Sequence, residues 1–213
     1  MNIAILLIEV NNNSLMGGGG AERFFADLYD VYNKQSHKKH NLYFLTDEKT
    51  VEELHKISRL SYVANILSIK LFNNRFKYLI ESLELVYFII FKRIQVIHIA
   101  LYNQYYNRRI NFLNKLPLFV RPKIVVQIVD SQVPYFYSDP DKHKHFTHTY
   151  SELFNDVKFD GIYTWYLLFK EFVEKDNLIK CKPYIEAVKG TYGDAKSSFS
   201  DTIKNILNTY QGE

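Results

Sequence analysis

Short apolar runs recur along the chain, separated by longer segments in which apolar residues have helical spacing. The runs cover residues 2–10, 41–46, 62–69, 95–101, 123–130, 160–166 and 184–188. Most are almost continuously apolar, which is typical of strands buried on both faces of a sheet. The alternation of such strands with helices predicts an α/β fold with a doubly wound, parallel, Rossmann-like sheet.

Helical spacing is clearest in two stripes. The first contains Phe24, Leu28, Val31 and Tyr32, and the second contains Phe76, Leu79, Ile80, Leu83, Tyr87 and Ile90. Residues 85–91 are apolar almost all round the second helix, which predicts a helix buried in the core. Residues 138–156 show only weak periodicity, so we expect a solvated loop around the histidines there.

Composition is consistent with a packed core, because 47% of the residues are hydrophobic and 16% are aromatic. Internal repeats and low-complexity linkers are absent from the sequence. We therefore predict a single domain over residues 1–189, followed by a loosely specified tail or linker at 190–213.

The formal net charge of +4 is spread along the chain, so an anionic partner is compatible with it and nucleic acid is not expected. Cys181 is the only cysteine, which excludes an internal disulfide and predicts a reducing, cytoplasmic compartment. The apolar start lacks a basic leader, and the run at 83–91 is far shorter than the roughly 20 residues that span a bilayer. Neither a signal peptide nor a membrane span is predicted.

Four consecutive glycines, Gly17, Gly18, Gly19 and Gly20, separate the first strand from the first helical stripe. Glycine allows a ligand to approach the backbone, and a following helix start offers N–H groups and a positive dipole end to a phosphate. A dinucleotide fingerprint fails because its third glycine falls on Glu22, and a P-loop fails because no Gly-Lys-Ser/Thr follows. The alternative is a flexible turn before an ordinary helix, in whose first turn a glutamate is favourable.

Ligands of doubly wound sheets bind beyond the carboxyl ends of the strands, which directs attention to the glycine loop, 98–103 and 130–134. Asp130 is our preferred catalytic candidate, and its alternative role is a turn or helix cap together with Ser131. His98 is the second candidate, as an acid, base or hydrogen-bond donor, or else an ordinary buried histidine.

A histidine-rich segment invites a metal interpretation. It contains His143, His145 and His148 beside Asp139 and Asp141. The spacing matches no fixed ligand scaffold, so we expect no metal site and no cofactor.

Four segments, in chain order, resemble the large family of retaining GT-B glycosyltransferases that includes sucrose synthases and bacterial mannosyltransferases. "GGGGAERFFADLYDVY" resembles that family's Gly-Gly-x-Glu loop and first helix, and "QVIHIALYN" resembles its fourth-strand segment. "KIVVQIVDSQVP" and "FDGIYTWYLLFKEFVEK" resemble two later strand segments, so the likeness covers roughly residues 1–189. Two of the family's histidines fall on Val129 and Ala100 here.

The resemblance implies the acceptor-side half of a glycosyltransferase, with a nucleotide-sugar donor and a carbohydrate or lipid-linked acceptor. It implies that the four glycines, Glu22 and Ser131 lie near donor or acceptor, and that Asp130 and His98 serve catalysis. A C-terminal donor-binding domain, which this sequence lacks, is the implied partner.

Two other functions stay open. One is a non-catalytic binding or membrane-surface module that uses the aromatic and basic helix at 75–93, with peripheral membrane contact. The other is an oxidoreductase or other small nucleotide enzyme on the same fold, against which the missing third glycine counts.

Overall fold

The computed structural model describes residues 1–7, 40–47, 66–69, 77–99, 102, 106–128, 139–155, 157–164, 167–175 and 184–187. The strands among them are β1 (Asn2–Leu7), β2 (Asn41–Asp47), β3 (Ile66–Ile69), β4 (Val96–Ile99), β5 (Lys123–Ile128), β6 (Gly161–Thr164) and β7 (Tyr184–Ala187). The helices are α1 (Lys77–Lys92), α2 (Asn107–Leu113), α3 (Pro140–Phe154) and α4 (Leu167–Lys175). Each predicted strand is confirmed, usually over fewer residues than its apolar run.

All seven strands form one sheet in the order β3-β2-β1-β4-β5-β6-β7, and every neighbouring pair is parallel. The chain therefore runs outward from β1 to β3, returns through α1 to β4 beside β1, and continues to β7. Parallel neighbours require crossover connections, and the four described helices lie in such connections. The α/β class and the parallel sheet are thus confirmed.

The sheet is buried on both faces. On one face, strand residues such as Leu6, Ile97 and Val126 share a hydrophobic core with residues of all four helices. Ile5 and Phe44 alternate to the opposite face and are also buried. The doubly wound arrangement predicts a second helical layer over this opposite face, and the connections that would supply it lie outside the described residues.

Helix α1 is oriented differently from the sequence expectation of a helix buried all round. Leu79, Leu83, Tyr87 and Ile90 of the predicted stripe are 49–61% exposed. The opposite side of the helix is the buried one, and it consists of Glu81, Ser82, Leu85 and Ile89. The expectation of a fully buried helix is therefore wrong. The buried side includes the polar residues Glu81 and Ser82, and the spacing of apolar residues gives no sign of this.

Glu81 is held on that buried side by Arg109 of α2. Their side chains form an ion pair and are 1% and 2% exposed, respectively. Burying either charge alone would cost several kcal/mol, so each makes the other's position tolerable. The pair fixes α2 against α1 within the helical layer on this face of the sheet.

Removing one partner of this pair should destabilise the fold more than removing both. Arg109→Met leaves the Glu81 carboxylate buried without its cation, and we expect the free energy of unfolding to fall by about 3–5 kcal/mol. Glu81→Met combined with Arg109→Met should cost much less than the sum of the single variants. Urea unfolding of the four proteins measures the difference. Arg108→Met, at an exposed position of α2, is the control; strictly additive losses would show that the charges act independently.

Helix α1 ends in a left-handed residue. Arg93 has φ 50°, its N–H donates to the Ile90 carbonyl (3.2 Å), and the Ile94 N–H donates to the Ile89 carbonyl (2.9 Å). These two hydrogen bonds define a Schellman motif, in which glycine is the usual residue at the position of Arg93. Ile89 and Ile94 belong to the core, so the motif also directs the chain into β4.

Replacing Arg93 tests the cost of this backbone conformation. Arg93→Gly and Arg93→Ala both remove the charge, but only alanine keeps the Cβ that disfavours positive φ. We expect the glycine variant to be more stable than the alanine variant by up to about 1 kcal/mol. Thermal unfolding compares them, and equal stability of the two variants would contradict a strained residue at this position.

Residues 140–154 form helix α3, so the expectation of a solvated loop around the histidines is wrong. Asp139 caps the helix, since its Oδ1 accepts hydrogen bonds from the N–H groups of Asp141 (3.1 Å) and Lys142 (3.2 Å). The Lys142 N–H bond is the main reason that the pKa of Asp139 lies below its usual value. Tyr150 and Phe154 pack into the core and Leu153 packs against it, so these residues supply the apolar side of a helix that is rich in polar residues.

The edge formed by the amino ends of the strands, called the amino edge below, is closed by hydrogen bonds. The Asn2 side-chain amide donates to the Lys92 carbonyl (2.7 Å), and the Lys123 N–H donates to the Gln95 carbonyl (2.9 Å). Asp160 accepts from the Ile124 N–H (2.7 Å). The starts of β1, β4, β5 and β6 are thereby tied together.

Candidate functional site

The three segments selected from the sequence begin at three adjacent strands. The glycine loop follows β1, residues 100–103 follow β4, and residues 130–134 follow β5; β1, β4 and β5 are neighbours in the sheet. All three leave the sheet at its carboxyl edge because the strands are parallel. Between β1 and β4 the strand order also reverses direction, and such a switch point is where open α/β sheets form a ligand crevice.

Most of the predicted site residues lie outside the described part of the chain. These are Gly17, Gly18, Gly19, Gly20, Glu22, Asp130 and Ser131. Their roles stay predictions. What the fold adds is that the strands preceding the glycine loop and Asp130 are separated only by β4.

His98 lies within β4 and is 0% exposed. Its Nε2 is 3.0 Å from Oε1 of Gln127 on β5. A carboxamide oxygen only accepts, so Nε2 carries the proton and donates in this arrangement. The Tyr163 ring of β6 lies 5.6 Å from the imidazole, tilted by 41°.

Burial determines the charge state of His98. Desolvation lowers its pKa from 6.5 to about 4, against the opposing effect of the hydrogen bond that the ring donates to Gln127. The imidazole is consequently neutral at pH 7. In the described state it acts as a fixed hydrogen-bond donor, and catalysis by this residue stays a prediction.

Gln127 and Tyr163 contact His98, and the sequence analysis did not predict either contact. Both are buried, and Nε2 of Gln127 has no hydrogen-bond partner within the described part of the chain. Gln127 is next to the last residue of β5, so this unused donor lies close to the carboxyl edge. The available signal was a glutamine that interrupts the apolar run "KIVVQIVD", since a buried amide usually has a hydrogen-bonding role.

Tyr102 anchors the segment after β4. Its N–H donates to the Gln127 carbonyl (3.0 Å), and its hydroxyl lies 3.0 Å from the carbonyl oxygen of Leu153. Its ring contacts Phe154 and Phe159 at centroid distances of 6.1 Å and 5.2 Å. The backbone beyond β4 is thus attached to β5 and to the aromatic core on the helical side of the sheet.

The histidines of α3 have separate surroundings. The His143 ring packs edge-on against Phe172 at 5.6 Å, whereas His148 lies 3.8 Å from a carboxylate oxygen of Glu152 on the exposed side. Among the described residues, no group of three or more His, Cys, Asp or Glu side chains is arranged to hold a metal ion.

In comparisons with known proteins, no protein-family model and no curated protein matches the chain. Function is therefore inferred from the residues and geometry of the carboxyl edge.

The buried imidazole makes stability depend on pH. The unfolded chain binds a proton at His98 below pH 6.5, whereas the folded chain does so only near pH 4. Between these values the unfolded state holds more protons. The titration of His98 therefore leaves the free energy of unfolding unchanged above pH 6.5 and lowers it as the pH falls from 6.5 toward 4. The slope should be about 1.4 kcal/mol per pH unit within this window.

His98→Gln removes the titrating group while retaining a polar side chain, and should flatten this part of the stability profile. Urea unfolding at several pH values, with wild type and variant compared at each, isolates the difference. His145→Gln, at an exposed position of α3, is the matched histidine control. A His98→Gln profile parallel to that of wild type would show that the imidazole titrates alike in the folded and unfolded chains.

Proposed function

We propose that this chain is the acceptor-side domain of a nucleotide-sugar-dependent glycosyltransferase with GT-B architecture. The observation that supports this best is the adjacency of β1, β4 and β5, because it brings the starts of all three candidate segments to one switch point. The segment that resembles a fourth strand of that family also contains the fourth strand along this chain, β4. In this proposal the crevice at the carboxyl edge receives donor and acceptor.

Charge stabilisation is the chemistry that the proposed crevice needs most. Transfer of a sugar leaves a nucleotide diphosphate, whose developing negative charge must be stabilised. Gly17, Gly18, Gly19 and Gly20 would let backbone N–H groups approach that diphosphate, and Glu22 would stabilise the start of the following helix. Asp130 and Ser131 would shape the acceptor side, two and three residues beyond the end of β5.

His98 has a positioning role in this proposal. A buried, neutral imidazole at pH 7 is poorly suited to donate a proton, but it holds the Gln127 side chain by a hydrogen bond. The remaining amide donor of Gln127 lies near the carboxyl edge, where a hydroxyl or phosphate oxygen of a ligand would satisfy it. Asp130 is accordingly the stronger candidate for direct contact with substrate.

The chain should bind a donor weakly when a second domain is absent. Catalysis by positioning requires donor and acceptor to be held together in a site with little water, and one half of a cleft supplies only part of those contacts. We expect measurable binding of sugar nucleotides, with little or no transfer by these residues alone.

Calorimetric titration of the 213-residue chain with UDP-glucose and GDP-mannose tests the proposed site. Gly18→Val should weaken binding about tenfold or more because in the proposed loop its side chain would crowd the diphosphate, and Gly18→Ala should have a smaller effect. In a complete enzyme with a downstream domain, Asp130→Ala should reduce turnover more than His98→Ala. Transfer assays of both variants measure that order.

Circular dichroism of each variant separates lost binding from lost folding. Lys144→Ala, at an exposed position of α3, is the control for a neutral surface change. Binding of NAD in preference to both sugar nucleotides would favour the oxidoreductase alternative. Efficient sugar transfer by the isolated chain would contradict the half-cleft proposal.

A further inference from the structure

Large apolar side chains are exposed at the amino edge, on the side of the sheet remote from the proposed crevice. Tyr87, Ile90 and Phe91 of the last turns of α1 are 58–63% exposed, and Leu118 and Phe119 in the turn before β5 are 87% and 90% exposed. We call these five residues the amino-edge patch. Soluble monomers seldom expose several large apolar groups together unless the surface has a partner.

The patch is formed by two elements at the amino edge, the last turns of α1 and the turn before β5. Helix α1 leads into β4, and the turn that contains Leu118 and Phe119 leads into β5, beside β4 in the sheet. The Tyr87 and Phe91 rings stack at a centroid distance of 5.7 Å. The turn is anchored from below by Leu116 and Val120, which pack against the core. Leu118 and Phe119 therefore project from a fixed base.

Basic residues surround the patch. The Lys92 ammonium lies 4.9 Å from the centroid of the Phe91 ring. Further cations at the described part of this edge are Arg93, Lys115, Arg121, Lys123 and Lys158. The acidic side chains described toward this edge are fewer: Asp160, which is paired with Arg121 at 3.2 Å, and Glu152 and Glu174 in the last turns of α3 and α4. The edge is accordingly both apolar and positively charged.

We propose that the amino-edge patch docks on the surface of an anionic lipid bilayer. Aromatic and aliphatic side chains on a projecting turn enter the boundary between headgroups and acyl chains, while flanking lysines and arginines attract anionic lipids. Tyr87 places a hydroxyl beside an apolar ring, as suits a side chain at a membrane interface. The proposed docking is peripheral. No helix in the described part of the chain is both long and apolar enough to cross a bilayer.

A second copy of the chain fits the same surface less well. Pairing two α1 helices in parallel would bring Lys92 and Arg93 beside their own copies. Antiparallel pairing centred on the patch would bring Lys92 and Arg93 toward the partner's Glu84, which supplies one carboxylate for two cations. Parallel pairing places like charges together and antiparallel pairing leaves cations in excess, whereas anionic lipid complements the whole basic edge.

Sedimentation of the full chain with vesicles tests the proposal independently of sugar transfer. Phosphatidylcholine vesicles are compared with vesicles that also contain phosphatidylglycerol, at low and high salt. We expect binding to the anionic vesicles, weakened by salt. Leu118→Ser combined with Phe119→Ser should weaken it at least tenfold, and Lys123→Gln about fivefold.

Control variants distinguish binding through the amino-edge patch from non-specific binding to vesicles. Leu79→Ser changes an exposed leucine at the other end of α1, and Lys144→Gln changes an exposed lysine on α3; both should bind as wild type does. Far-ultraviolet circular dichroism confirms that each variant is folded. Absence of binding to anionic vesicles would overturn the proposal. So would a dimer in sedimentation equilibrium that the Leu118→Ser and Phe119→Ser variant abolishes, because the patch would then belong to a second copy.

Discussion

The return of the chain through α1 is the constraint on which the rest of the architecture depends. After β3 has been placed at one margin of the sheet, α1 must lead back past β2 and β1 so that β4 can pair with β1. A parallel sheet needs such crossovers, and its faces need to be covered. The return creates the switch point at the carboxyl edge and puts the end of α1 at the amino edge. Both surfaces to which we assign functions therefore originate from a single connection.

The described structure separates two kinds of polar residue inside the sheet and its helical layer. Glu81 and Arg109 satisfy each other's charge, and their role is to fix two helices. His98 and Gln127 are neutral, and the side-chain nitrogen of Gln127 has no hydrogen-bond partner within the described part of the chain. A neutral pair near a strand end is less costly to bury than separated charges. In the proposed function, it would also hold a hydrogen-bonding group near the ligand.

Strand positions were predictable because a buried parallel strand must be apolar on both faces, and the runs that became β1 and β5 satisfy this almost without interruption. The orientation of α1 was not predictable, since its buried face depends on an ion pair with Arg109, which lies 28 residues beyond Glu81. Helix α3 was missed because few of its residues are apolar; the informative signal was local, with Asp139 before a proline as a helix start. For the candidate site, the order of strands in a doubly wound sheet accounts for the adjacency of β1, β4 and β5, but not for the contacts between side chains. The partner of His98 depends on the register between β4 and β5, which apolar patterning does not specify.

The buried ion pair has a consequence for local opening of the protein. Glu81 and Arg109 lie on helices that precede and follow β4. Detaching either helix would leave the charge on the other helix buried in an apolar layer without its partner. Partial openings that separate α1 from α2 are consequently disfavoured. The segment from α1 through β4 to α2 should behave as one cooperative unit, whose amide hydrogens exchange with solvent together.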